Sequence, residues 1–125
     1  MSAGSTGKGP VTNLDLHYAY LHFNYKYFHN KLPKDLPTFF TRELDRKGKL
    51  GNTPVLIYAG SKRLSIPKPT CIQIRWKDRE CKRYAYLSLL HEMVHVENPK
   101  PEGHGPWFHK RMKELAMAGA FNDYW

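Results

Sequence analysis

The chain has 125 residues, and its 20 lysines and arginines against 11 acidic residues leave a formal charge of +9, a balance that favours polyanionic partners. Hydrophobic residues make up 41% and aromatics 14%, which excludes a wholly disordered polypeptide and suffices for one modest core in one domain. No apolar run approaches the ~18 residues of a membrane span, and two cysteines, Cys71 and Cys81, are too few for a disulfide scaffold and too far apart for a CxxC zinc ribbon.

The start, MSAGSTGKGP, has no apolar stretch behind a basic one and is not a signal peptide. Residues 1–12 read as a flexible tail or an expression scar, with the domain at 13–125. The expected setting is reducing, cytoplasmic or associated with the nucleoid or nucleus, and not secreted. Residues 13–30 place Leu14, Tyr18, Leu21, Tyr25 and Phe28 at three- and four-residue steps, predicting an amphipathic helix with that stripe turned inward. Asn13 is its expected cap, and the stretch from Asn30 to Pro33 its end. His17, His22 and His29 form no i, i+4 pair and read as surface or packing residues.

Three aromatic and β-branched runs follow, at 37–44, 53–59 and 70–76, separated by Gly48 and Gly51, then by Gly60, Pro67 and Pro69. They predict three strands of one small sheet. Over 77–96 helical periodicity returns, with Tyr84, Leu87, Leu90 or His91, and Val94 on one face. NPKPEGHGP then breaks the helix, and Pro106 suits the first turn of a last one carrying Trp107, Phe108, Met112, Leu115 and Met117. The expected architecture is α+β: helix, small three-stranded sheet, helix, C-terminal helix.

Chemistry concentrates in the stretch HEMVHVENPKPEGHGPWF, residues 91–108. His91 and His95 are four apart on a predicted helix, so their imidazoles lie on one face and can share a metal. Glu92 between them can take a proton from water bound there. A catalytic zinc needs a third protein ligand, and three residues compete for that place. His104 returns across the NPKPEG turn, His109 lies on the next helix, and Glu114 stands nineteen residues past His95, near the gluzincin spacing. The metzincin pattern fails, because positions 98 and 101 are Asn and Pro. His104 is favoured, since Gly103 and Gly105 let the backbone approach and Pro106 fixes where the helix begins.

HEMVH followed by GHGPWF, with YFHNKLP upstream after an aromatic-rich helix, resembles the SprT-like (Spartan) metalloprotease domain from about Leu16 to Met112. The resemblance implies a minimal zincin-like fold, with His91, His95 and His104 on zinc and Glu92 as general base. It also implies a DNA-stimulated endopeptidase acting on proteins bound or crosslinked to DNA, which suits the charge. The chain departs from many members in lacking a cysteine-rich zinc ribbon after the protease domain.

The expected partners are protein substrates and DNA, single-stranded or bound without sequence preference. No membrane is expected, and the chain should be a monomer. Trp76, Trp107 and Trp125 can stack on unpaired bases, with core packing the favoured role for Trp107. Tyr86 and His109 are candidates to stabilise an oxyanion. Two other readings compete: a zinc-stabilised DNA-binding module without proteolysis, and a zinc peptidase with no nucleic-acid partner.

Overall fold

A computed structural model of the chain describes residues 10–99 and 104–122. Residues 1–9 of the expected tail, Gly103 and Trp125 lie outside them. The packed chain begins before residue 13, because Val11 is buried and its N–H donates to the Arg79 carbonyl at 2.8 Å.

Helix α1 spans Asn13–Tyr27. Its cap is Thr12, not Asn13: the Thr12 hydroxyl accepts from the Asp15 N–H at 3.0 Å, and the Asp15 carboxylate accepts from the Thr12 N–H at 3.0 Å. This reciprocal pair satisfies donors that a helix start leaves bare. Asn13 instead accepts from the Phe40 N–H at 2.9 Å, tying α1 to the first strand. The inward face also differs from the expected stripe. Leu16, Ala19, Tyr20 and Phe23 are buried; of the expected stripe Phe28 is buried and Leu21 packs partly against the core, whereas Leu14, Tyr18 and Tyr25 are exposed. Both faces of this helix are aromatic, so periodicity identifies the helix but cannot choose its face. Fully buried Asn24 holds the exit, its side chain bonding both the N–H and the carbonyl of Leu32. That clamp lets His29 and Asn30 turn the chain at positive φ.

Strand β1 (Thr38–Thr41) runs parallel to β5 (Ile72–Arg75), and β2 (Gly51–Asn52) pairs antiparallel on the other side of β5. The order is β1-β5-β2. Phe40, Ile72 and Ile74 turn inward to join the core beneath α1. A three-stranded sheet is therefore present, but two of its expected members change. The run at 37–44 ends early, because Thr41 caps a short helix α2 (Arg42–Lys47) that buries Leu44. The run at 53–59 leaves the sheet altogether. As β3 (Val55–Ala59) it pairs, among the described residues, only with β4 (Lys62–Pro69), through a turn with Gly60 at φ 65°. Strand β4 contains two prolines and reads as a breaker, yet a two-stranded ribbon has open edges where a missing N–H costs nothing.

A 3₁₀ turn at Trp76–Glu80 precedes α3 (Lys82–Glu97), where one continuous helix had been expected. The Asp45 carboxylate fixes that turn by accepting from the N–H groups of Trp76 and Lys77. Helix α3 is the centre of the core, with Leu89, Leu90, Met93 and Val94 fully buried, whereas Tyr84 of the expected face is exposed. Helix α4 (Pro106–Met117) has its proline in the first turn, as expected. Arg111 fastens it, donating to Glu97 of α3 at 2.6 Å and to the Tyr27 carbonyl of α1 at 2.8 Å. Among the described residues, no helix is long and apolar enough to cross a membrane.

Candidate metal centre

Helix α3 sets His91 and His95 one turn apart, with ring centroids separated by 5.1 Å. The segment leading into α4 brings His104 back to them. Its Nε2 lies 3.1 Å from His91 Nε2 and 3.2 Å from His95 Nε2. A tetrahedral zinc at 2.0–2.1 Å from each nitrogen sets its ligands about 3.3–3.4 Å apart, so this spacing fits such an ion closely. A neutral imidazole nitrogen offers either one proton or one lone pair. A cation at the centre satisfies all three lone pairs at once, which a single shared proton cannot do.

Burial, and then the nearby His95 and His104, push His91 down to about 4. Burial and His104 also lower His95. Both rings are thereby kept in the neutral form that binds metal. Phe108, buried at the start of α4, backs the cluster, its ring centroid lying 4.9 Å from His91, 4.9 Å from His95 and 4.5 Å from His104. Because the same helix start carries Phe108 and follows His104, packing of α4 on α3 sets the position of His104.

Glu92 is buried beside the cluster, and burial pushes its carboxyl up to about 7 against the opposing hydrogen bond from Thr53. The Thr53 hydroxyl donates to Oε1 at 2.7 Å. Oε2 lies 4.0 Å from His91 Nε2, so one oxygen is anchored and the other lies on the His91 side. Gly51 of β2 makes room for it, since a Cβ there would fall 2.8 Å from Oε2. Thr53 and Gly51 were not identified from sequence. They lie about forty positions from Glu92 and match no local pattern.

His109 is exposed on α4, and Glu114 pairs with Arg111 at 3.6 Å. Neither belongs to the cluster formed, among the described residues, by His91, His95 and His104. Tyr86 is buried against Phe23 and, like His109, is absent from the described lining of the cavities beside Glu92. Trp76 packs partly into the core, with the guanidiniums of Arg42 and Arg79 at 4.5 and 3.8 Å from its ring centroid. Trp107 is exposed, contrary to the expected core role. Cys71 and Cys81 are free thiols.

The arrangement can hold one divalent ion and place a carboxylate beside it. No family model matches the chain, and no curated protein or solved structure matches it. The functional reading therefore rests on the residues and their geometry.

Proposed function

We propose that the chain is a zinc-dependent endopeptidase of the SprT-like type, with a minimal zincin-like fold, stimulated by DNA and acting on proteins bound or crosslinked to it. One observation carries the reading: three imidazole nitrogens converge at zinc-like spacing beside a buried carboxylate with one anchored and one free oxygen. Three imidazole nitrogens suit zinc better than the hard, oxygen-seeking cations.

His91, His95 and His104 would hold the ion. Bound zinc supplies Lewis acidity, and it lowers the pKa of water beside it. Glu92 accepts the proton of the attacking water at Oε2 and passes it to the leaving amine. Thr53 keeps the carboxylate turned to that task. Strand β2 is an edge of its sheet next to Glu92, and an extended substrate segment can pair along it. The charge of +9 is the support for a DNA partner, and binding on that basis weakens steeply with salt.

The test is proteolysis of a loosely folded basic protein with and without single-stranded DNA, comparing wild type with Glu92→Gln. The carboxamide should lower cleavage by at least ~10²-fold while zinc and DNA binding persist. Undiminished cleavage in Glu92→Gln refutes the peptidase mechanism, and cleavage indifferent to DNA removes the nucleic-acid part.

A further inference from the structure

Two cavities flank the histidine cluster, and their linings differ in chemistry. The smaller, of about 410 Å³, follows the β2 edge and is lined by polar groups such as Asn52, Thr53 and Asn98. The larger, of about 900 Å³, opens on the α4 side between Leu50, Leu87, Met112, Ala116 and Phe121. Both reach Gly51, His91, Glu92 and His104, so the apolar cavity is continuous with the reacting centre. A cleft of a few hundred to a thousand Å³ with apolar walls and a few converging polar groups is the usual form of a ligand site.

We infer that the larger cavity receives a large apolar side chain of the substrate polypeptide, from a residue adjoining the scissile bond. This rests on the peptidase reading. Charge argues for the occupant. The only carboxylate in the described lining is Glu92, which Thr53 engages and the reaction uses, so among the described residues no anion is left there to pair with a lysine or arginine side chain. Lys49 is the only ammonium group there, and it also lines the smaller cavity. What remains to select a residue is apolar area. Burial of a leucine or phenylalanine in such a wall is worth about 10–100-fold in kcat/KM over a small or charged residue. The basic surface would then choose the polyanion-associated target, and this cavity would choose the bond within it.

The experiment uses the full chain loaded with zinc and a peptide panel varying one flanking position at a time among Phe, Leu, Ala, Asp and Lys. In parallel, binding of the same peptides to zinc-loaded Glu92→Gln is measured by calorimetry. Wild type should favour Phe or Leu at one position by about 10–100-fold over Asp or Lys. Ala116→Trp, which fills the cavity from an exposed helix position, should shrink that ratio, and Ala116→Leu is the milder variant should the first not fold. Met117→Trp, on the solvent side of α4, should leave the ratio alone. Equal rates and affinities across the panel, a preference for a charged residue, or a ratio unmoved by both Ala116 variants overturns the assignment. Apolar preference in binding that Ala116→Trp removes, without any cleavage by wild type, upholds the cavity and refutes the peptidase reading instead.

Discussion

Substituting Gly51 by alanine tests whether the position of the Glu92 carboxylate matters. Gly51 is not among the described glycines with positive φ, so its backbone does not demand glycine. Space does: the added Cβ would lie 2.8 Å from Glu92 Oε2, 3.0 Å from Cγ and 3.1 Å from Cδ. Unstrained contacts between such atoms begin near 3.5 Å, so something must retreat by roughly half an ångström. Strand β2 is poorly placed to do so, being paired with Ile74 and Gln73, with the Leu50 carbonyl bonded to the Arg75 N–H at 3.0 Å. Glu92 should therefore give way, straining or breaking its 2.7 Å bond from Thr53. A 1 Å misplacement of a catalytic group can lower the rate about 10²-fold, so a loss of roughly 10–10²-fold in kcat is expected. Zinc content should hold, because no ligand is touched. Thermal stability should stay near wild type, since the entropic gain of Gly→Ala, about 0.4–1 kcal/mol, offsets part of the clash. Gly48→Ala is the complementary control. It has open space but φ of 69°, so stability should fall by about 1 kcal/mol without a kinetic effect. Steady-state proteolysis, metal analysis and thermal unfolding read all three quantities. Full activity in Gly51→Ala would falsify the assignment of Glu92 as a precisely held base.

Thr53→Val should lower kcat with zinc retained and Thr53→Ser should restore it, because only the hydroxyl anchors Oε1; equal rates in the two variants would reduce Thr53 to packing. His104→Ala should lose zinc on dialysis while His109→Ala and Glu114→Gln keep it, and the opposite pattern in metal analysis would move the third ligand. Arg111→Leu removes charge-assisted bonds to Glu97 and to the Tyr27 carbonyl, an expected loss of about 2–4 kcal/mol and roughly 8–15 °C in Tm; a shift below a few degrees refutes the role given to this clamp. The last concerns pH in the metal-free chain. His91, lowered from 6.5 to about 4, contributes stability above pH 6.5 that is lost as pH falls toward 4. Glu92, raised from 4.5 to about 7, acts oppositely, since the folded chain gains a proton between pH 7 and 4.5 that the unfolded chain does not. Glu92→Gln removes this compensation, so with chelator present its Tm should fall more steeply than that of wild type across the window, and parallel slopes count against the burial argument.

Local geometry was legible in the residues themselves. Four-residue spacing on a helix leaves no freedom about which side His91 and His95 share, and Pro106 marks a helix start wherever the rest of the chain goes. The α+β order followed from periodicity for the same reason. Choices among equivalent local solutions were not legible. Helix α1 has an apolar side through Leu16, Tyr20 and Phe23 and a second through Leu14, Tyr18 and Tyr25, and only the sheet and α3 decide which is buried. Strand β4 carries prolines that are harmless solely because its partner β3 stands apart from the main sheet. Three residues could have completed the histidine pair, and α4, seated by Phe108 and Arg111, selects His104. Thr53 and Gly51 reach Glu92 across the fold from β2 and the residues just after it. Backbone periodicity acts over three or four residues, whereas packing joins positions forty apart, and only the folded chain specifies those distances.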